Sequence, residues 1–288
     1  MKAASFEYVK PSTVDAALHA LDEHLGQARV LAGGQSLVPM LGMRLLRPSA
    51  VVDINGLGEE LGGIDARGTE TVVGALVRYA TLETSPVISE RLPLLGHVVA
   101  YIGDRQVRNR GTIGGALAQA DPTGEMALAC LALDATVVAR NLEGERDIPI
   151  GDFFAGSYYS VLDPEELLVA IRFPPAPDHF RFFERGRKHN DFALVSAAVT
   201  ASGDNARGFR DVRIALGGVN DRPVLAEAAA QRLEGRRWDA AVLDEAAALV
   251  VDVLDAPDDA RGSAAYREHL APIHVRRLLR DLAEGGSR

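Results

Sequence analysis

Two glycine-rich stretches hold the residue types best suited to chemistry. They are Ala32-Gly33-Gly34-Gln35-Ser36 and, far downstream, Gly111-Thr112-Ile113-Gly114-Gly115. Glycine reaches positive φ without steric cost and lets backbone N–H groups approach an anion with no Cβ in the way. Ser36 and Thr112 add hydroxyls able to donate to phosphate oxygens. Either stretch alone also reads as an ordinary tight turn. As a pair of like design they point to one dinucleotide held from opposite sides, because a pyrophosphate carries two charges that backbone donors from two loops can share.

The common nucleotide signatures fail at both places. The spacing G-x-G-x-x-G gives Gly33, Gln35 and Val38 from the first glycine, and Gly34, Ser36 and Pro39 from the second. Asp53 follows about twenty residues on, where a ribose-binding acid belongs in that fingerprint, but its glycines are missing. A P-loop needs Gly-Lys-Ser/Thr, and none of Lys2, Lys10 and Lys188 follows a glycine. No H-E-x-x-H, C-x-x-C or G-x-S-x-G is present, so neither a zinc site nor a nucleophile elbow is expected. No catalytic acid, base or nucleophile stands out, and no metal ligands do.

Composition narrows the classes further. The 288 residues suffice for two domains, with 47% hydrophobic and 25% charged residues. The net charge of −9 and the lack of a basic stripe argue against nucleic acid. No apolar run approaches the ~20 residues of a membrane span, and Met1–Phe6 lacks a signal-peptide core, so no membrane insertion and a cytoplasmic location are expected. The single cysteine, Cys130, allows neither an internal disulfide nor an iron–sulfur cluster in this chain.

The elements that must position the glycines follow from hydrophobic periodicity. Phe6–Val9 reads as a strand, with Ser12 and Asp15 as a capping box for a helix over 13–25. Arg29–Ala32 is a buried strand running into the first turn, and Val51–Ile54 is another. Thr71–Ala75 is a strand, 81–102 is helical in two pieces broken at Pro86 or Pro93, and 105–110 is an arginine-rich loop before the second turn. Asp121–Glu125 is a loop before a short apolar helix. Ala135–Arg140 and Arg146–Ile150 form a hairpin, and Leu167–Phe173 is a strand. The Pro174–Pro177 run marks a linker. Beyond it lie strands Phe180–Arg185, Ala193–Ala201 and Val212–Gly217, a turn at Gly203–Asn205, and helices over 224–233, 238–254 and 266–283. Strands followed by helices argue for a separate α+β domain.

The chain resembles the FAD-binding medium subunits of the molybdenum hydroxylases, the carbon monoxide dehydrogenase and xanthine dehydrogenase family. The resemblance runs through Phe6-Glu7-Tyr8, Ala32–Met40, Arg47-Pro48, Val52–Asn55, Gly111–Gly115, Asp121-Pro122, Phe153–Gly156, Glu165–Leu168 and Asp191–Ser196, in order along the chain. It implies an α/β and α+β fold: a two-part PCMH-type, vanillyl-alcohol-oxidase-like FAD-binding domain over 1–176 (subdomains about 1–58 and 59–176), then a small C-terminal α+β domain over 177–288 with a three-stranded sheet and helices.

The resemblance also assigns residues. Arg29, Val30, Leu31, Ala32, Gly33, Gly34, Gln35 and Ser36 would form one cradle for FAD, and Gly111, Thr112, Ile113, Gly114 and Gly115 the other. Glu125 falls where the family places an acid on the adenosine ribose. Ile102 and Leu168 fall at apolar cofactor contacts, although by themselves they read as core. Lys188 falls where a cation meets the flavin or its chain, with surface charge as the plain reading, and Phe192 falls beside the isoalloxazine. Gln35 and Ala116 depart from many relatives, and Ala116 removes a side-chain hydrogen bond while leaving the backbone donors. The cysteine-bearing insertion of 4-hydroxybenzoyl-CoA reductase subunits is absent.

Function follows as an expectation. A large subunit would hold molybdopterin and a small one two [2Fe–2S] clusters, assembled as a dimer of heterotrimers. This chain would relay electrons through FAD, leaving substrate choice to the molybdenum subunit. Arg105, Arg108 and Arg110 read either as a docking group for the cluster subunit, as a brace beside the pyrophosphate or as solvated charge. The alternative is a self-sufficient flavin oxidase or reductase of the same broader fold.

Overall fold

The computed structural model describes residues 2–188 and 191–285. The chain opens with β1 (Glu7–Val9), α1 (Val14–Glu23), β2 (Ala28–Leu31), α2 (Leu37–Gly42), β3 (Ala50–Asp53) and α3 (Gly58–Leu61). The strands form a parallel sheet in the order β1-β3-β2. Strand β3 lies between the other two and is buried along its whole length, as its Ala-Val-Val-Asp run demands. The N-cap of α1 is Thr13, whose hydroxyl accepts from the Ala16 amide, and not Ser12 as the capping-box reading had it. Val14, Ala17, Leu18 and Leu21 then face the core.

The middle of the chain adds β4 (Ile64–Arg67), β5 (Glu70–Gly74), α4 (Tyr79–Thr84), α5 (Pro86–Arg91), α6 (Pro93–Val99), α7 (Arg105–Arg110), α8 (Ile113–Gln119) and α9 (Glu125–Ala132). It continues through β6 (Thr136–Arg140), β7 (Glu145–Pro149), α10 (Ile150–Phe153), β8 (Phe154–Gly156), β9 (Tyr159–Ser160) and β10 (Leu167–Phe173). The order β4-β5-β10-β6-β7 makes an antiparallel sheet. The helical stretch after β5 is three pieces rather than two. Both Pro86 and Pro93 start a new helix at its first turn, where a missing N–H costs nothing. The arginine-rich segment is helix α7 and not a loop, capped by the Asp104 carboxylate accepting from the Val107 amide.

The last third comprises β11 (His179–Arg185), β12 (Val195–Asp204), β13 (Gly208–Gly217), β14 (Val224–Leu225), α11 (Glu227–Leu233), α12 (Ala240–Leu249) and α13 (Ala264–Ala283). Its antiparallel sheet has four strands, β11-β12-β13-β14, where three were expected, because the two-residue β14 adds an edge. The β12–β13 connection spans 205–207, slightly later than the expected turn.

This sheet has two apolar faces. Val195, Ala197, Val199, Ile214 and Leu216 join the helices, including Val275 and Leu279 of α13, in one core. Phe180, Ala198 and Ala215 join the core built by α6, α8 and α9. The second face therefore lies on the middle part of the chain. No helix among the described residues is long and apolar enough to cross a membrane.

Candidate functional site

Strand β2 carries the chain to the first glycine turn, and α7 carries it to the second. The two turns touch. A Cβ on Gly33 would lie 2.4 Å from the Arg110 carbonyl oxygen and 2.9 Å from the Gly111 Cα. A Cβ on Gly115 would lie 3.8 Å from that of Ala32. Gly34 takes φ +75°, a conformation that glycine adopts without strain.

A brace holds the turns in register. The Asn55 side-chain amide donates to the Ala32 carbonyl at 2.9 Å. The Arg78 guanidinium donates to the Asn55 side-chain oxygen at 2.5 Å and also to the Arg110 carbonyl. Asp53 accepts from the Asn55 amide at 3.0 Å and from the Tyr8 hydroxyl. Burial works to raise the Asp53 carboxyl, but the Tyr8 and Asn55 donors outweigh it and hold it below the ordinary range. Asp53 is thus a strut of the brace. Burial and the neighbouring Arg110 make the Arg78 guanidinium easier to deprotonate than usual, which marks a crowded positive edge beside the turns. The sequence reading assigned no role to Asn55 or Arg78. Asn55 lies in the Val52–Asn55 segment that carries part of the family resemblance, and nothing local to Arg78 marks it.

The donors are unequally disposed. Among the described residues, the amides of Gly33, Gly34, Gln35 and Ser36 meet no protein acceptor. Ser36 is exposed and makes no cap bond with its side chain. Four neighbouring N–H groups, two of them on glycine, suit a polyanion. In the second turn the Gly111 amide donates to Val107 at 2.7 Å, Ile113 to Val77 at 3.1 Å and Gly114 to Ala75 at 3.0 Å. The Gly115 amide donates to the Thr112 hydroxyl oxygen at 3.1 Å. Gly111 lies against the Tyr79 ring and Gly114 against Ala75, where a Cβ would come within 2.4 Å and 2.6 Å.

The other expected residues are spread more widely. Arg29 is exposed on β2 and donates to the Ala28 carbonyl at 2.7 Å, while Val30 and Leu31 are half-buried. Ile102 and Leu168 are buried in the main core. Glu125 opens α9 and is half-buried, and burial pushes its carboxyl up to about 7, helped by Asp121. Burial raises the Tyr79 hydroxyl, helped by the charge of Glu125, and the Tyr79 ring lies against Gly111. Lys188 is exposed in the turn after β11, with no ion pair among the described residues. Phe192 is 52% exposed with the Arg261 guanidinium 4.3 Å from its ring centre. Of the arginine group, Arg108 is tied to the Ile102 and Gly103 carbonyls and to Glu83, whereas Arg105 and Arg110 are exposed. No group of three His, Cys, Asp or Glu among the described residues could hold a metal.

Known proteins resemble this chain over nearly its whole length. Residues 4–176 match the family described as FAD binding domain in molybdopterin dehydrogenase, and residues 179–282 match the CO dehydrogenase flavoprotein C-terminal domain. The chain is 38% identical to the 6-hydroxypseudooxynicotine dehydrogenase complex subunit alpha of Paenarthrobacter nicotinovorans, over 97% of this chain and 95% of that one. It is 35% identical to the carbon monoxide dehydrogenase medium chain of Afipia carboxidovorans, over 96% of each. A solved carbon monoxide dehydrogenase from Hydrogenophaga pseudoflava superposes with a TM-score of 0.93 at 35% identity, covering 97% of this chain and 98% of that one. The fold is accordingly an FAD-binding domain followed by a C-terminal domain, as the resemblance implied. A cradle with four free amides suits the pyrophosphate of that cofactor. The chain belongs to the FAD-binding subunit family of the molybdenum hydroxylases, oxidoreductases that include carbon monoxide dehydrogenase and xanthine dehydrogenase, and its cofactor is FAD.

Proposed function

We propose that this chain is the flavin-carrying electron-transfer subunit of a heteromeric, cytoplasmic hydroxylase. A large partner holds molybdopterin, a small partner holds two [2Fe–2S] clusters, and the assembly is a dimer of heterotrimers. The observation that carries this reading is the pair of touching glycine turns with free amides at Gly33–Ser36. Whole-length similarity to proteins named as a complex subunit and as a medium chain supports the heteromeric setting.

The binding set comprises residues 29–36 and 111–115 with Ile102, Glu125, Leu168 and Lys188. The unit over 1–176, divided near 58, carries most of it, and the unit over 177–288 supplies Lys188. The free amides and Ser36 hold the pyrophosphate, and Arg78 keeps the two turns at their working separation. Ile102 and Leu168 keep water from the apolar wall, and Glu125 accepts from ribose hydroxyls. Bound FAD supplies the capacity to take electrons singly and release them as a pair. The chain's own residues therefore bind and orient, and no acid, base or nucleophile of this chain is required.

Purification of the native protein tests the proposal. The expected result is the absorption of oxidised flavin together with a larger and a smaller partner containing molybdenum and iron. Colourless protein that takes up no added FAD overturns it. Oxidation of simple alcohols by the isolated flavinated chain would establish the self-sufficient oxidase instead.

A further inference from the structure

A buried cation near the end of the chain joins three separate stretches of it. Arg267 of α13 is 1% exposed. Its Nη1 donates to the Leu194 carbonyl at 2.6 Å and to the Gly218 carbonyl at 3.1 Å, and its Nη2 donates to both Asp259 carboxylate oxygens at 2.9 Å. A buried guanidinium is costly unless acceptors answer it, and acceptors on both carboxylate oxygens also fix its direction. Asp259 in turn accepts from the amides of Arg261 and Gly262 at 2.8 Å and 3.0 Å, while its own amide donates to the Gly262 carbonyl at 3.2 Å. The loop over 259–262 is thereby tied to a buried anchor.

That loop lies on the connection between β11 and β12. Gly262 packs on Leu194, where a Cβ would come within 3.0 Å of its side chain. The Arg187 guanidinium donates to the Ala260 carbonyl at 3.3 Å. The Arg261 guanidinium stands over the exposed Phe192 ring, 4.3 Å from its centre and within the range of a cation–π contact. Arg261 is half-buried and is in no ion pair among the described residues. A guanidinium held on an aromatic face without a carboxylate keeps its fork of donors for a planar partner bearing negative charge. The same anchor reaches the middle of the chain, because the Gly218 amide donates to the Pro122 carbonyl at 3.0 Å, three residues before Glu125. Glu125 and Lys188, the neighbour of Arg187, both belong to the binding set proposed above, and Arg261 stands between the segments that carry them.

We propose that Arg261 is a further FAD-site residue, a cation beside the isoalloxazine ring that favours the reduced flavin, and that Arg267 is the positioning residue that sets it there through Asp259. The inference rests on the cradle reading above and on the place of Lys188 in it. Uptake of two electrons and one proton leaves one negative charge on the isoalloxazine that the oxidised ring lacks. A guanidinium fixed close to that ring binds the reduced form more tightly than the oxidised form, and only such a difference shifts the balance between them. The adenine ring carries the same charge in both forms, so a contact with it would strengthen both alike. Arg261 itself gives and takes no proton. The anchor matters because a mobile arginine would be solvated away from the ring, whereas the Asp259–Arg267 contact fixes the loop that carries it.

The test is the midpoint potential of the full-length chain loaded with FAD, read against a redox dye, alongside fluorescence titration with oxidised FAD. In Arg261→Gln, which removes the charge from a loop side chain, the preference for reduced over oxidised flavin should fall about tenfold, a downward shift of about 30 mV for a two-electron couple. The Kd for oxidised FAD should change less than about threefold, and Arg261→Lys should keep most of the wild-type potential. Asp259→Asn should lower the potential by less, and should add nothing when combined with Arg261→Gln, because it acts through that residue. Arg267→Lys, which keeps the charge and loses the fork, serves if Asp259→Asn does not melt cooperatively. An Arg261→Gln chain with the wild-type potential overturns the inference, and so does equal weakening of both redox forms, which marks a plain binding contact. An Asp259→Asn shift that adds in full to that of Arg261→Gln overturns the positioning role. Each of these results leaves the cradle standing, whereas a wild-type chain that takes up no FAD overturns the cradle reading and this inference with it.

Discussion

At Gly33–Ser36 four consecutive amides face no protein acceptor, whereas at Gly111–Gly115 the amides of Gly111, Ile113, Gly114 and Gly115 already donate within the chain. Ser36 is exposed and caps nothing with its side chain, while Thr112 is buried and its hydroxyl oxygen caps helix α8. The glycines differ for the same reason. Gly34 is needed for its positive φ and Gly33 for the contact between turns, but Gly111 and Gly114 are needed so that Tyr79 and Ala75 can pack against backbone. Matching composition therefore hides a division of labour. The first turn keeps its donors unengaged, and the second is a packed wall against which the first rests.

The sharpest challenge to this division is Gly33→Ala, because its Cβ would collide with the Arg110 carbonyl on a backbone braced by Arg78. Overpacking of that kind costs about 3 kcal/mol, and separation of the turns should weaken FAD binding about a hundredfold. Fluorescence titration reads this directly, and an unchanged Kd would show that the contact between turns does not matter. Gly114→Ala sharpens the other side. The overlap with Ala75 should cost about 1–3 kcal/mol of stability in a denaturant melt, while FAD affinity of the folded protein changes less than about threefold. Equal losses in affinity and stability would erase the distinction.

A pH titration of the stripped chain adds a further test, through the raised carboxyls of Glu125 and Glu184. Glu125 at about 7 and Glu184 at about 8 bind protons more tightly in the folded state than in the unfolded chain. The stability this adds is fully present below the ordinary carboxylate range and is lost as pH rises through about 7 and then about 8. The melting temperature should fall over that window, and the double variant Glu125→Gln, Glu184→Gln should flatten the fall. The smallest effects come from the two hydroxyls. Thr112→Val removes an N-cap and should cost about 1 kcal/mol of stability. Ser36→Ala should leave the melt within about 0.5 kcal/mol and weaken FAD binding only a few-fold.

Much of the fold is legible where local rules are strong. Strand β10 falls where its apolar run ends at consecutive prolines, and the β6–β7 hairpin falls on either side of its turn. The missed elements have weak or misleading local signals. Strand β4 is a mostly exposed Ile-Asp-Ala-Arg edge without alternation, defined by pairing with β5. Helix α7 is hidden by its arginines, and β14 exists only because β13 lies beside it. At the site, the glycine turns are legible because positive φ and backbone access demand glycine. The Asn55–Arg78 brace is not, because it joins residues from four separate segments through side-chain hydrogen bonds.

The sequence by itself determined that two glycine turns with neighbouring hydroxyls exist and that they follow a strand and an arginine-rich segment. Those are local matters of residue type, backbone freedom and spacing. Only the tertiary structure decided which turn keeps its donors. An amide is engaged or free according to whether a carbonyl from a distant segment reaches it, and Val77 and Ala75 reach the second turn while no described acceptor reaches the first. The same holds for Glu125 and Glu184. Nothing in their separate surroundings along the chain marks either carboxyl as raised, and only tertiary burial makes it so.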